Sequence, residues 1–221
     1  MTLAAQDNRC RVAVLISGSG TNLQAFIDQV RDGLLPVEIA LVIANRADAY
    51  GLRRAAAADI PCVCIPHGEF DSREAFDKAV AAELDAAAID LIILAGFMRI
   101  LSPWFVRHFE GRVLNIHPAL LPLYPGLNTH ARALEAGDSH HGSTVHFVTE
   151  ELDGGPRILA GRITIEKGDT PEALQSRVQS VEHRIYPQTA ALFATGRLTY
   201  RDGAAWLDGQ KLVEPVVRDF Q

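Results

Sequence analysis

Apolar residues fall along this chain in two rhythms that alternate through its first half. Val12–Ile16 is a continuous apolar run that ends in Ser17-Gly18-Ser19-Gly20. Leu23, Phe26, Ile27 and Val30 then recur at 3-4 spacing and predict a helix from about Asn22 to Asp32. The same alternation continues with strands at Val37–Ala44, Cys62–Ile65, Ile89–Leu94 and Val113–Ile116. Between them fall helices at Leu52–Ala58, from Asp71 to about Ala88, and at Pro103–Phe109. Asp71-Ser72-Arg73-Glu74 reads as an Asp cap with an acid at the third helical position. Short apolar strands separated by helices predict an α/β fold, a mostly parallel twisted sheet with helices on both faces. In such sheets ligands sit beyond the carboxyl ends of the strands, near a switch in strand order.

The second half changes character. Ser143–Val148 and Arg157–Ile165 read as strands across the turn-rich Thr149–Pro156, so antiparallel strands are expected in the C-terminal part. Asp169-Thr170-Pro171-Glu172 opens a long helix with an Asp cap, and Tyr186-Pro187 is expected to kink or break it. Leu198–Tyr200 and Ala204–Leu207 are short strands, and Pro215–Gln221 reads as a loosely held tail.

Composition narrows the class. The chain has 221 residues, 48% hydrophobic and 22% charged, which suits one soluble globular domain over 1–221. A net charge of −6 with no Lys/Arg run argues against a nucleic-acid partner. Cys10, Cys62 and Cys64 form no Cys-x-x-Cys and suit a reducing compartment. The polar Met1–Arg11 does not resemble a signal peptide, and no apolar stretch approaches the roughly 20 residues that span a bilayer. The expectation is a cytoplasmic protein acting on small molecules, with no membrane partner.

Three strand ends carry unusual residues: Ser17-Gly18-Ser19-Gly20, Ala95-Gly96-Phe97-Met98 and Asn115-Ile116-His117. Asn115 and His117 stand two apart in an extended strand and share a face. An amide beside an imidazole pairs a hydrogen-bond donor with a proton carrier, which suits a carbonyl oxygen that becomes an oxyanion. Gly18-Ser19-Gly20-Thr21-Asn22, between strand and helix, offers free amides to a phosphate. A dinucleotide site is disfavoured, because Leu23 stands where a third glycine belongs and the second strand ends in Asn45 rather than an acid. A tight structural turn is the rival reading of this loop. Asp153, before Gly154-Gly155-Pro156, fits either a turn or a carboxylate that orients His117. Glu182 reads as part of a solvated helix face, His146 as a structural histidine within its strand, and His140 and His141 as exposed. No histidine pair has metal-ligand spacing, so no metal is expected.

Together with these motifs, FDSREAFD (70–77), LAGFMRILSPWFV (94–106), LLPLYPGLNTH (120–130), HGSTVHFVTEELDGGP (141–156), VEHRIYP (181–187) and AAWLDGQ (204–210) give the chain a family resemblance. It resembles the phosphoribosylglycinamide formyltransferases, the folate-dependent glycinamide ribonucleotide transformylases of purine synthesis, from about Val12 to Leu212. The resemblance implies a formyltransferase-type Rossmann-like fold. Its nucleotide-binding half would span about 11–110 and its folate and catalytic half about 111–212. It implies 10-formyltetrahydrofolate as co-substrate and glycinamide ribonucleotide as acceptor, and it admits a homodimer. Asn115, His117 and Asp153 would form the catalytic set, with Asp153 favouring a charged His117. Gly20, Thr21 and Asn22 would hold the ribonucleotide's phosphate and ribose, and Glu182 its amine, against the solvated-face reading. Met98, Arg99, Ile100 and Leu101 would line the folate pocket beside Asn115, and Arg73 would face the folate's glutamate carboxylate. Ala119 replaces a usual Ser and Leu123 a frequent basic residue, neither at a catalytic position.

Rival readings have specific costs. A methionyl-tRNA formyltransferase would carry a C-terminal RNA-binding domain and a basic surface. A formyltetrahydrofolate hydrolase would carry an N-terminal regulatory domain ahead of the first strand, which here starts at Val12. A non-catalytic folate- or nucleotide-binding module would leave Asn115, His117 and Asp153 without a role.

Overall fold

The computed structural model describes residues 9–221. The first half runs β1 (Cys10–Ile16), α1 (Thr21–Arg31), β2 (Val37–Ala44), α2 (Gly51–Ala57), β3 (Cys62–Cys64), α3 (Arg73–Ala86), β4 (Leu91–Leu94), α4 (Pro103–His108) and β5 (Val113–His117). The second runs α5 (Thr129–Ala136), β6 (His140–Phe147), β7 (Arg157–Thr164), α6 (Pro171–Ala194), β8 (Leu198–Arg201), β9 (Ala204–Leu207), β10 (Gln210–Lys211) and β11 (Val216–Asp219).

An eight-stranded sheet forms in the order β11-β7-β6-β5-β4-β1-β2-β3. β1 pairs in parallel with both β2 and β4, so strand order reverses there. β5 continues the parallel run, β6 is antiparallel to β5 and β7, and β11 is parallel to β7. Strand alternation divides the core between the two faces. Val12, Val14 and Ile16 pack with α1 and α6 residues such as Phe26, Val181 and Ile185. Ala13 and Leu15 pack on the other side with Phe76, Val80 and Phe105 of α3 and α4. β8, β9 and β10 make a separate three-stranded antiparallel sheet.

Several expectations change. The caps are Ser72 and Thr170, whose hydroxyls accept from Ala75 N and Ala173 N, rather than the preceding aspartates. Asp169 instead accepts from Glu166 N at 2.8 Å and pairs with Arg177 at 2.7 Å. α6 runs unbroken through Pro187. A proline at that point leaves the carbonyl four residues earlier without its helical donor. That carbonyl belongs to His183, and Gln29 Nε2 of α1 donates to it at 3.2 Å. Next to Pro187, the buried Tyr186 hydroxyl lies 3.0 Å from the Leu94 carbonyl and 2.9 Å from that of Leu114, tying α6 to the ends of β4 and β5. The tail is not loose: Val216–Asp219 is β11, paired with Leu159–Arg162 of β7. His141 is buried, not exposed.

Candidate active site

The carboxyl ends of β1, β4 and β5 converge, as the reversal of strand order requires. At β1 the loop 17–20 is pinned on every side. Gly51 N donates to Gly18 O at 3.0 Å, and Arg54 Nε to Ser19 O at 2.9 Å. Gly20 is left-handed (φ 68°), and a Cβ there would stand 2.7 Å from the Cα of Gly51. It also caps α1 without a side-chain bond, so the first-turn amides of α1 are free to bind an anion. Beside them, Thr21 Oγ1 accepts from Gln179 Nε2 of α6 at 2.8 Å, which leaves the Thr21 hydroxyl hydrogen available. Asn22 Nδ2 donates to Glu182 Oε2 at 2.9 Å, and Asn22 Oδ1 is buried with no protein partner.

Glu182 is therefore no solvated face residue. It is 8% exposed. Burial raises its carboxyl above the ordinary range, against the lowering effect of bonds from Asn22 and Ser143. Ser143 Oγ, on β6, lies 3.1 Å from Glu182 Oε1 and 2.8 Å from the His117 carbonyl. A run of hydrogen bonds thus connects the start of α1 to the end of β5.

At the end of β5, Asn115 and His117 face the same way, and β6 lies antiparallel beside them. His117 Nε2 lies 2.8 Å from the Tyr124 carbonyl, and its Nδ1 lies 3.4 Å from Asp153 Oδ2. Both ring nitrogens face acceptors. Asp153 is held in place by Gly126 N, which donates to Oδ2 at 2.9 Å. The turn that carries it closes tightly, since a Cβ on Gly155 would fall 1.9 Å from the Phe147 carbonyl.

Sequence reasoning left His146 outside this group, and the structure brings it in. Its Nε2 lies 3.2 Å from Asn115 Nδ2 and 3.8 Å from Asp153 Oδ1. Its Nδ1 lies 2.9 Å from the Phe147 carbonyl, so Nδ1 carries the hydrogen and Nε2 accepts from Asn115. Burial pushes the His146 pKa down, which favours that neutral ring. Asn115 thus has one amide hydrogen committed and one free. Ser143 and Gln179 were also missed. Their partners lie across the fold, and His146 reaches Asn115 only through the β5–β6 register, which the sequence does not fix.

The segment after β4 forms another wall. Met98 N donates to Ser17 Oγ at 2.8 Å, laying it across the end of β1. Met98 and Ile100 are 71% and 57% exposed, Leu101 is buried, and the Arg99 guanidinium lies 5.7 Å from the Phe76 ring centre. Arg73, the exposed first residue of α3, makes no hydrogen bond or ion pair to the Asn115–His117–Asp153 cluster among the described residues.

An amide donor, a carboxylate-backed imidazole and an anion-binding helix end on one edge of a parallel sheet define an enzyme for group transfer at a carbonyl. The chain belongs to the formyl transferase family, whose description matches residues 10–190. It is 53% identical over 201 residues to the phosphoribosylglycinamide formyltransferase of Escherichia coli K12, covering 91% of this chain and 95% of that one. The solved phosphoribosylglycinamide formyltransferase of Coxiella burnetii, in complex with CHES, superposes with a TM-score of 0.90. It is 51% identical and covers 94% of this chain and 99% of its own. Glycinamide ribonucleotide transformylase 1 of Symbiobacterium toebii gives a TM-score of 0.88 at 46% identity, over 94% and 98% of the two chains.

Proposed function

We propose that this protein transfers the formyl group of 10-formyltetrahydrofolate to the amine of glycinamide ribonucleotide, giving formylglycinamide ribonucleotide and tetrahydrofolate. The observation that carries this reading is the His117 ring held between Asp153 and the Tyr124 carbonyl, two strand positions from an Asn115 amide hydrogen left free. A binding module has no use for that arrangement.

In this reading the ribonucleotide phosphate takes the free first-turn amides of α1 and the Thr21 hydroxyl, beside Gly20. The bare Asn22 Oδ1 accepts from a ribose hydroxyl, and Glu182 holds the glycinamide amine. The folate lies along Met98, Arg99, Ile100 and Leu101, with its glutamate carboxylate towards Arg73. The neutral amine attacks the formyl carbon, and the carbonyl oxygen gains negative charge in a tetrahedral intermediate. The free Asn115 hydrogen meets that oxygen, and the His117 Nε2 hydrogen reaches it by turning from the Tyr124 carbonyl. A ring with a hydrogen on each nitrogen can serve the oxygen while the Asp153 carboxylate balances its charge. The ring then gives a proton to the departing folate nitrogen as the bond from that nitrogen to the formyl carbon breaks, and it recovers one from the attacking nitrogen, directly or through water. Holding both substrates on one sheet edge makes the encounter local.

One domain spanning 1–221 does this work, in the cytoplasm and without nucleic acid. The free thiols of Cys10, Cys62 and Cys64 and the net charge of −6 support that setting. Asn22 and Glu182, 160 positions apart, share a hydrogen bond, so residues from both halves of the chain would meet the ribonucleotide.

The test is deformylation of 10-formyltetrahydrofolate with and without glycinamide ribonucleotide. Loss of formyl only with acceptor, and formylated product, is the expected result. Loss without acceptor makes the protein a hydrolase, and no loss in either case makes it a binding protein.

A further inference from the structure

Ser143 has no exposed surface, and its one hydroxyl hydrogen stands between two acceptors. These are the His117 carbonyl at 2.8 Å and Glu182 Oε1 at 3.1 Å. We infer that Ser143 is a positioning residue for the amine end of the site, its hydroxyl fixing the Glu182 carboxyl against the backbone of His117. This rests on the reading of Glu182 as the amine anchor given above.

The hydrogen-bond arithmetic makes the link dependent on state. With Glu182 ionised, the two acceptors compete for one hydrogen, and a substrate N–H arriving at Oε1 relieves the competition. With Glu182 protonated, its own O–H can donate to Ser143 Oγ while the Ser143 hydrogen stays on His117 O. Either way the hydroxyl spans the distance between the amine anchor and the acid–base ring. Facing Glu182 are Asn22 from α1 and Ser143 from β6, both uncharged. Tyr186, one turn along α6, also interacts with it and stays protonated, because burial raises its phenol well above the ordinary value. Among the described residues, no charged side chain of α1, α5, β5, β6 or β7 pairs with Glu182. The titration of this carboxyl is therefore set by burial and by two neutral donors.

Replacing Ser143 with Ala removes one donor from the ionised form, so the Glu182 carboxyl should titrate at higher pH. Expected for Ser143→Ala are a rise of about tenfold in KM for glycinamide ribonucleotide, and little change in kcat or in KM for the folate. The acidic limb of kcat/KM for the ribonucleotide should move to higher pH. Ser143→Thr, which keeps a hydroxyl, should restore both. Equal losses in Ser143→Ala and Ser143→Thr would assign the effect to packing and overturn the inference. An unmoved acidic limb, or a loss in kcat alone, would overturn it too. A separate reading needs no turnover: the 13C carboxyl resonance of Glu182 in the free protein, assigned by its disappearance in Glu182→Gln. That resonance should titrate higher in Ser143→Ala. If it does while the wild type transfers no formyl group, the functional reading fails and the Ser143–Glu182 link stands. If it does not move, the link fails whatever the enzyme does.

Discussion

The carboxylate of Asp153 does two things at once. Oδ2 accepts from Gly126 N at 2.9 Å and faces His117 Nδ1 at 3.4 Å. An amide in its place would bring an NH2 against one of these or remove the charge from both, with no change of shape. Asp153→Asn should therefore lower kcat by about 10²–10⁴-fold and leave both KM values near wild type, as should His117→Ala. Steady-state kinetics over both substrates checks this, and turnover within about threefold of wild type would remove these residues from the chemistry. Asn115 and His117 were legible because strand alternation alone puts them on one face. For Asp153 the sequence left a plain turn and a carboxylate orienting His117 side by side, and only the family resemblance chose between them, since nothing in a Gly-Gly-Pro turn says what its acid touches. His146 and Ser143 were not legible as partners. Their contacts to Asn115, His117 and Glu182 cross 31, 26 and 39 positions of chain, and they depend on the β5–β6 register. Glu182 misled for the same reason, because its helix face meets α1 rather than water.

Among elements, the junction of β1 with α1 depends on close approach of backbone to backbone. Gly20→Ala would force a Cβ to 2.7 Å from the Gly51 Cα while holding a left-handed φ of 68°. It should cost about 1–3 kcal/mol of stability and raise KM for the ribonucleotide, because the loop and the first turn of α1 must shift together. Thermal unfolding and KM measured side by side test both effects, and an unchanged Tm would show that the loop gives way freely. The pairing of α5 with β6 has a signature in pH. His141 is buried with Nε2 3.1 Å from His130 Nδ1, and burial holds its pKa down at about 4. In the unfolded chain a histidine titrates near ~6.5. Between those values the unfolded state holds a proton that the native state lacks, so stability falls as pH drops from about 6.5 towards 4. His130, His146 and His183 are shifted the same way, whereas raised carboxyls such as Glu182 act oppositely. A comparison therefore isolates the one ring. The fall in urea-unfolding stability between pH 6 and pH 4.5 should be shallower in His141→Gln than in wild type by about 1 kcal/mol per pH unit. Identical slopes would mean that His141 is already charged in the native protein. The strands β1 to β5 were all legible, since each carries a short, largely apolar run set between helices. α5 was not, because Thr129–Ala136 buries only Thr129 and Ala133 and shows too narrow an apolar stripe. α6 outran its expected break at Pro187 because a side chain from another helix serves the freed carbonyl.

On the scale of the whole molecule, the sheet must end somewhere, and an unpaired edge invites a second chain. One edge is β3, only three residues long. The other would be β7, eight residues long, were it not covered by β11. β11 is exposed along its whole length and carries no apolar stripe, which is why a sequence reading takes it for a loose tail. It is held by backbone pairing with β7, by Phe220 packed against the core, and by three outlying contacts. Asp219 takes both an Nε bond at 2.6 Å and an Nη2 bond at 3.1 Å from Arg162. Phe220 N donates to the Arg162 carbonyl at 2.8 Å. The Phe220 ring lies 4.6 Å from the Arg184 guanidinium of α6. Deleting residues 215–221 leaves every proposed site residue in place, and it spares Glu214, which pairs with Arg157 at 3.0 Å. The truncated protein should lose about 2 kcal/mol, or roughly 6 °C in Tm for a chain of this size, with kcat at 25 °C unchanged. Its bared β7 edge should also make it associate more readily, seen as earlier elution on size exclusion as concentration rises. If Tm and elution both stay at wild-type values, β11 contributes nothing and the loose-tail reading is right. If Tm falls and the protein stays monomeric, β11 stabilises the sheet without guarding its edge.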